Sequence, residues 1–213
     1  MRSSHQEVMK DEYREPESEE TADLKVKGSR FIGRIMRVLS QDEADEKLRA
    51  LRKAEYDATH HCSAWRIGPE GALTRFNDDG EPNGSAGMPI LRRIEAADLT
   101  NAMVVVTRYY GGTKLGTGGL VRAYGDTAGL VVDAVRVRTC VIRLPVAVTF
   151  DYDDTSPAMH TVNQFDAVIA RSEYGDRTTL YLEVRRSEAE AFEAAFVEAL
   201  SGRGEVVAGQ VDP

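Results

Sequence analysis

The residues best suited to chemistry lie in a glycine-rich loop between an apolar stretch and a helical pattern. The loop reads GGTKLGTGG over residues 111–119. Such a loop can expose backbone N–H groups and direct a helix N-terminus at an anion. The candidate anion- or RNA-binding groups are the cations Arg108, Lys114 and Arg122 and the glycines Gly111, Gly112, Gly116, Gly118 and Gly119. The P-loop pattern fails because Thr117 occupies the position of its lysine, so a loop needed only for tight strand-to-helix packing remains the alternative.

A second candidate group is an acidic turn. Asp78, Asp79 and Glu81 place three carboxylates within four residues. Carboxylates so placed could hold magnesium, act as general acid and base, or orient the nearby arginines. The spacing excludes an EF-hand. Turns also favour aspartate for local hydrogen bonding, so a purely structural role stays open.

A third candidate is the pair His60 and Cys62 at the entrance of a predicted strand. Residues two apart on a strand share one face, so the two side chains could form a nucleophile or part of a metal site. A packed strand cysteine is the alternative. Because no further ligands are placed nearby by the sequence, we expect neither a metal site nor a cofactor.

Composition limits the class of protein. The chain has 213 residues and a net charge of −8, no stretch resembling a membrane helix or signal peptide, and two cysteines. These features predict a protein of the cytoplasm that does not interact with membranes. Residues 24–140 carry a net +4, whereas residues 1–23 carry −5 and residues 141–213 carry −7. A nucleic-acid partner would therefore have to use the middle segment.

Hydrophobic periodicity predicts an α+β protein with two domains. Residues 1–23 lack periodicity and are predicted to be a disordered acidic tail. Residues 24–140 form one domain, in which MVVV at 103–106 has the character of a central strand buried on both faces. Residues 141–213 follow the order β-α-β-β-α-β, which is typical of a ferredoxin-like domain. The sequence does not indicate an oligomeric state.

Several segments together resemble the YigZ/IMPACT family. They are THHC at 59–62, DDGEP at 78–82 and VVTRYYGGTKLGTGGLVRAY at 105–124, and the resemblance covers residues 25–137. It implies a first domain similar to a ribosomal protein and to domain IV of elongation factor G. It also implies a ferredoxin-like second domain similar to domain V of that factor.

The resemblance further implies a role in regulating translation. We therefore expect a noncatalytic protein that associates with RNA or the ribosome through the glycine-rich loop. The alternative is a metal-dependent hydrolase or transferase that handles phosphate with this loop and with Asp78 and Asp79. A regulator that binds another protein fits the same residues, so the sequence alone does not decide whether the chain is an enzyme.

Overall fold

A computed structural model describes residues 11–209 and divides the chain into two compact units. The N-terminal unit spans Tyr13–Cys140, and the C-terminal unit comprises residues 11–12 together with residues 141–209. Both units combine helices with antiparallel sheets, so the predicted two-domain α+β class is confirmed.

The N-terminal unit is built on a five-stranded antiparallel sheet with the order β2-β3-β6-β4-β5. Its strands are β2 (Glu20–Val26), β3 (Ser29–Arg37), β4 (His60–Ile67), β5 (Leu73–Asn77) and β6 (Ala102–Tyr109). The apolar run MVVV lies on the central strand β6 and supplies both faces, with Val104 and Val106 on one side and Met103 and Val105 on the other. This strand is buried because both faces of the sheet are covered by helices.

Three helices cover the sheet. Helix α1 (Gln41–Ala54) packs on one face, and α2 (Gly87–Ala96) and α3 (Thr117–Ala134) pack on the other. Helix α1 is capped at its start, since the Ser40 hydroxyl accepts a hydrogen bond from the Glu43 N–H at 3.2 Å. The glycine-rich loop connects the C-terminal end of β6 to the N-terminus of helix α3.

The prediction of a disordered tail over residues 1–23 is wrong where the structure describes it. Strand β1 (Glu12–Pro16) pairs with β7 (Val137–Val141), and β2 begins at Glu20. The Glu15 side chain is fully buried, and its carboxylate accepts hydrogen bonds from Arg37, Arg138 and Asn101. An acidic segment of this composition is expected to be solvated. In the folded protein, however, arginines that are distant in sequence neutralise the buried Glu15. Residues 1–10 lie outside the described residues.

The C-terminal unit has the predicted ferredoxin-like order. It contains β8 (Arg143–Phe150), α4 (Thr155–Gln164), β9 (Val168–Tyr174), β10 (Thr178–Arg185), α5 (Ala189–Ala199) and β11 (Glu205–Ala208). The sheet order is β11-β8-β10-β9 with antiparallel neighbours, and both helices pack on its apolar face around Phe150, Phe192 and Phe196. Across residues 11–209, no helix combines the length and apolarity needed to cross a bilayer.

Candidate functional site

Strand register brings two of the predicted site residues side by side. His60 on β4 is paired with Arg108 on β6, and Arg108 is paired in turn with Phe31 on β3. Because side chains alternate along a strand, this row faces the side of the sheet that α2 and α3 cover. Both polar residues thus stand at the end of an otherwise apolar face, next to the glycine-rich loop.

A buried ion pair lies at this end of the sheet. The Arg108 Nη1 atom is 2.6 Å from Glu81 Oε1, and the two side chains are only 6% and 4% exposed. The hydroxyl of Tyr124 on α3 donates to the same carboxylate oxygen at 2.7 Å. These hydrogen bonds offset the desolvation cost of burying two charges. Arg108 was predicted as a free cation for an anion, but its charge is neutralised inside the protein.

The orientation of His60 is fixed by a backbone carbonyl. Its Nδ1 atom lies 2.8 Å from the Asp79 carbonyl oxygen, and its Nε2 atom lies 3.8 Å from Glu81 Oε1. A carbonyl can only accept, so Nδ1 carries a proton; Nε2 presents a lone pair when the ring is neutral and a second N–H when the ring is protonated. The neutral imidazole therefore offers an acceptor beside the buried carboxylate.

The ion pair forms the polar part of an open pocket of about 440 Å³, which we call the Glu81 pocket. Its polar lining includes His60, Glu81, Arg108 and Lys114, and its apolar lining includes Tyr110, Leu115 and Leu120. The Arg108 Nε–H is buried without a hydrogen-bond acceptor among the described residues. A buried polar group without a partner is uncommon in native structures.

The N-terminus of α3 borders the same pocket and has no cap. Gly116 stands at the cap position with φ +71° and has no side chain to cap the helix, while the first intrahelical bond runs from the Leu120 N–H to the Gly116 carbonyl. The amides of residues 117–119 consequently lack an acceptor within the described part of the chain. Helices α1 and α2 differ, because Ser40 and Asp78 accept from their first-turn amides.

One of the predicted loop glycines has a structural role instead. The Gly111 N–H donates to the Ser29 hydroxyl at 3.2 Å. A Cβ atom on Gly111 would lie 1.9 Å from the backbone carbon of Gly28, in the turn between β2 and β3. Gly111 is therefore required for a close backbone approach and does not offer its amide to an anion, whereas Gly112, Gly116 and Gly118 have open space around them.

Exposed cations surround the open helix end. Lys114 and Arg122 are solvent-exposed, and neither forms an ion pair within residues 11–209. Lys27, in the turn that packs against Gly111, lines a second cavity of about 230 Å³ together with Arg122. Asp126 also lines that cavity, but its carboxylate pairs with Arg93 at 3.2 Å. Lys27 was not among the residues predicted for this site. Its position beside Gly28 in a tight turn is the sequence feature that could have indicated it.

The acidic turn is mainly structural. The Asp78 carboxylate accepts from the backbone N–H groups of Gly84, Ala86 and Gly87 at 2.8–2.9 Å and so caps α2. Asp79, at φ +44°, accepts from the His61 N–H at 2.6 Å and pairs with Arg52.

These contacts contradict the assignment of Asp78 and Asp79 as magnesium ligands, since their oxygens are already engaged. Within residues 11–209, no three His, Cys, Asp or Glu residues are grouped to hold a metal ion. Of the three carboxylates, only Glu81 orients one of the predicted cations.

Cys62 does share the face of His60, but it is not exposed to a substrate. Its side chain is fully buried and its thiol donates to the Asp78 carbonyl oxygen at 3.0 Å. Burial raises the pKa of the Cys62 thiol, which disfavours the thiolate that a nucleophile requires. Cys62 is a packed strand cysteine, and a catalytic or metal-binding role is wrong for it.

Each of the two units contains a match to a known protein-domain family. Residues 27–132 match the Impact N-terminal domain, and residues 148–203 match a domain of unknown function, DUF1949. The IMPACT family member YvyE of Bacillus subtilis is 31% identical, with 89% of this chain and 87% of the relative covered. The IMPACT family member YigZ of Escherichia coli is 36% identical over 70% of this chain and 74% of the relative.

A solved structure extends this similarity to the fold. The crystal structure of a hypothetical protein superposes with a TM-score of 0.70 at 28% identity, with 96% of this chain and all of the other covered. The shared sequence, extending over most of both chains, shows that the protein belongs to the IMPACT family.

Proposed function

We propose that the protein is a noncatalytic RNA-binding or ribosome-binding member of the IMPACT family that acts in translation. It contacts the phosphate backbone through the N-terminus of α3. The observation that carries this proposal is the uncapped end of α3, beside which Lys114 and Arg122 are exposed and form no ion pair with any residue that the structure describes. Phosphate suits such a surface because free amides and the positive end of the helix dipole both favour an anion.

The charge distribution supports the same surface. The whole chain carries −8, so indiscriminate attraction to nucleic acid is not expected. The cations Lys27, Lys114 and Arg122 belong to the segment of residues 24–140 with net positive charge. A local cationic surface on an acidic protein favours binding that depends on a few defined phosphate contacts.

The link to translation comes from the family resemblance. Relatives named Protein IMPACT homolog in Saccharomyces cerevisiae and Protein IMPACT in Rattus norvegicus match the chain at 35% identity over 42% and 47% of its length. The resemblance of the two domains to parts of elongation factor G makes the ribosome the natural first partner to test.

The test is co-sedimentation with ribosomes, and filter binding to single-stranded RNA, across a salt series. The variant Lys114→Ala/Arg122→Ala removes two cations beside α3. The control Lys53→Ala/Arg75→Ala removes one exposed lysine and one exposed arginine from α1 and β5. Both variants therefore have the same net charge.

We expect the control to bind like the wild type and the α3 variant to bind more weakly. Two lost phosphate contacts should reduce the slope of log affinity against log salt by about 1.4, at about 0.7 per contact for single strands. Binding that ignores salt, or equal losses in both variants, would contradict the proposal.

A further inference from the structure

We propose that the Glu81 pocket binds one nucleotide, with its phosphate at the N-terminus of α3 and its base against the buried Glu81 and Arg108. This inference rests on the proposed RNA-binding function and specifies the ligand of the same site. It uses two features that phosphate-backbone contacts alone do not explain, namely a pocket and a buried polar network at its floor.

The phosphate end is defined by the loop and helix. The amides of residues 117–119 have no acceptor among residues 11–209, and both Lys114 and Thr117 line the pocket. A phosphate at this position would receive backbone hydrogen bonds, the partial positive charge of the helix end and the full charge of the lysine. A single anion fills this end and leaves the rest of the pocket open.

The rest of the pocket suits a flat ring with polar edges. Its volume of about 440 Å³ falls in the range of roughly 300–1,000 Å³ that is usual for small-ligand sites. The side chains of Tyr110, Leu115 and Leu120 supply apolar surface, and Tyr110 is 46% exposed. An aromatic ring can stack on any of the bases, because every base has a π-face, and the aliphatic side chains can pack against the same base.

The polar floor indicates which base fits best. Glu81 offers a carboxylate, and the neutral form of His60 offers the Nε2 lone pair. Two neighbouring acceptors match guanine, whose N1–H and N2–H₂ donors are adjacent. Uracil places one N–H between two carbonyl groups and would leave acceptors of the floor facing acceptors of the base.

The experiment measures binding of GMP, UMP and inorganic phosphate by calorimetry, and binding of RNA by the same proteins. We expect GMP to bind about tenfold more tightly than UMP, because one matched bidentate contact discriminates by about that factor. His60→Gln should lower GMP affinity about tenfold and leave phosphate binding unchanged. The control Lys53→Ala should bind GMP like the wild type.

His60→Gln replaces the imidazole by a neutral polar side chain, and the fluorescence of the single Trp65 reports whether the N-terminal unit is folded. Equal affinity for GMP and UMP, or unaltered GMP affinity in folded His60→Gln, would overturn the inference. So would the absence of any mononucleotide binding at millimolar concentration.

Two arms separate this inference from the proposed function. RNA binding that is lost in Lys114→Ala/Arg122→Ala, with no binding of GMP, would refute the nucleotide pocket and leave the RNA surface standing. GMP binding without RNA binding would refute the RNA function and support a pocket for a free nucleotide. Displacement of bound RNA by GMP would support the pocket as the place where a nucleotide of the RNA binds.

Discussion

Replacing Glu81 by leucine should destabilise the N-terminal unit by about 3–5 kcal/mol, since it leaves a buried arginine without its counter-ion. The side chains of Glu81 and Arg108 are 4% and 6% exposed, so solvent compensates little for the lost carboxylate. Arg108→Met should cost a similar free energy of unfolding, because it leaves the carboxylate buried without its cation.

The double variant Glu81→Leu/Arg108→Met should be much less destabilised than the sum of the two single variants. With both charges removed, apolar side chains of similar size fill the space. The Tyr124 hydroxyl then loses its acceptor, and an unsatisfied buried hydroxyl costs about 1–3 kcal/mol. We therefore expect the double variant to lie about 1–3 kcal/mol below the wild type.

Urea unfolding followed by Trp65 fluorescence measures this cycle. The single tryptophan is 7% exposed in the core between the sheet and α1, so its signal follows the N-terminal unit alone. Additive losses in the double variant would refute the coupled buried pair. Losses below about 1 kcal/mol in both single variants would show that the pair behaves like an exposed surface bridge.

Further outcomes concern the surrounding residues. Burial alone would raise the pKa of Glu15, but hydrogen bonds from its partners outweigh it and lower the pKa, so its stabilisation is present above about pH 4.5 and lost as pH falls further. Glu15→Gln should thus lose more unfolding free energy at pH 7 than at pH 3, and equal losses would contradict this. Asp78→Ala should cost about 1–3 kcal/mol in urea unfolding by uncapping α2, whereas the exposed Asp133→Ala should change stability by less than about 0.5 kcal/mol. Ellman's reagent should modify Cys140 in the folded protein and Cys62 only after unfolding, and two reactive thiols in the native state would refute the burial of Cys62.

Much of the fold was predictable because local patterns and tertiary packing agree. The MVVV run predicted a strand covered on both faces, and β6 is such a strand. The β-α-β-β-α-β order of the C-terminal unit followed from alternation and helical periodicity. The type and order of these helices and strands depend on residues that are close in sequence, and hydrophobic periodicity reflects the pattern of such residues.

The candidate site was only partly predictable, because its key contacts join distant segments. Glu81 and Arg108 looked like exposed groups on a turn and a strand end, and nothing local indicates that they neutralise each other. The role of Asp78 as a cap for α2 was equally hidden, since turn aspartates serve many purposes. Strand β1 was missed for the same reason, because Glu15 becomes compatible with burial only beside arginines from other strands.

The backbone contact between Gly28 and Gly111 means that the conformation of the glycine-rich loop depends on a second segment of the chain. A side chain on either glycine would collide with the backbone of the other segment. Grafting residues 111–119 alone onto another strand and helix would omit the turn that fixes the loop. A transplant would need residues 27–29 as well, and in related sequences the two glycines should be retained or replaced together.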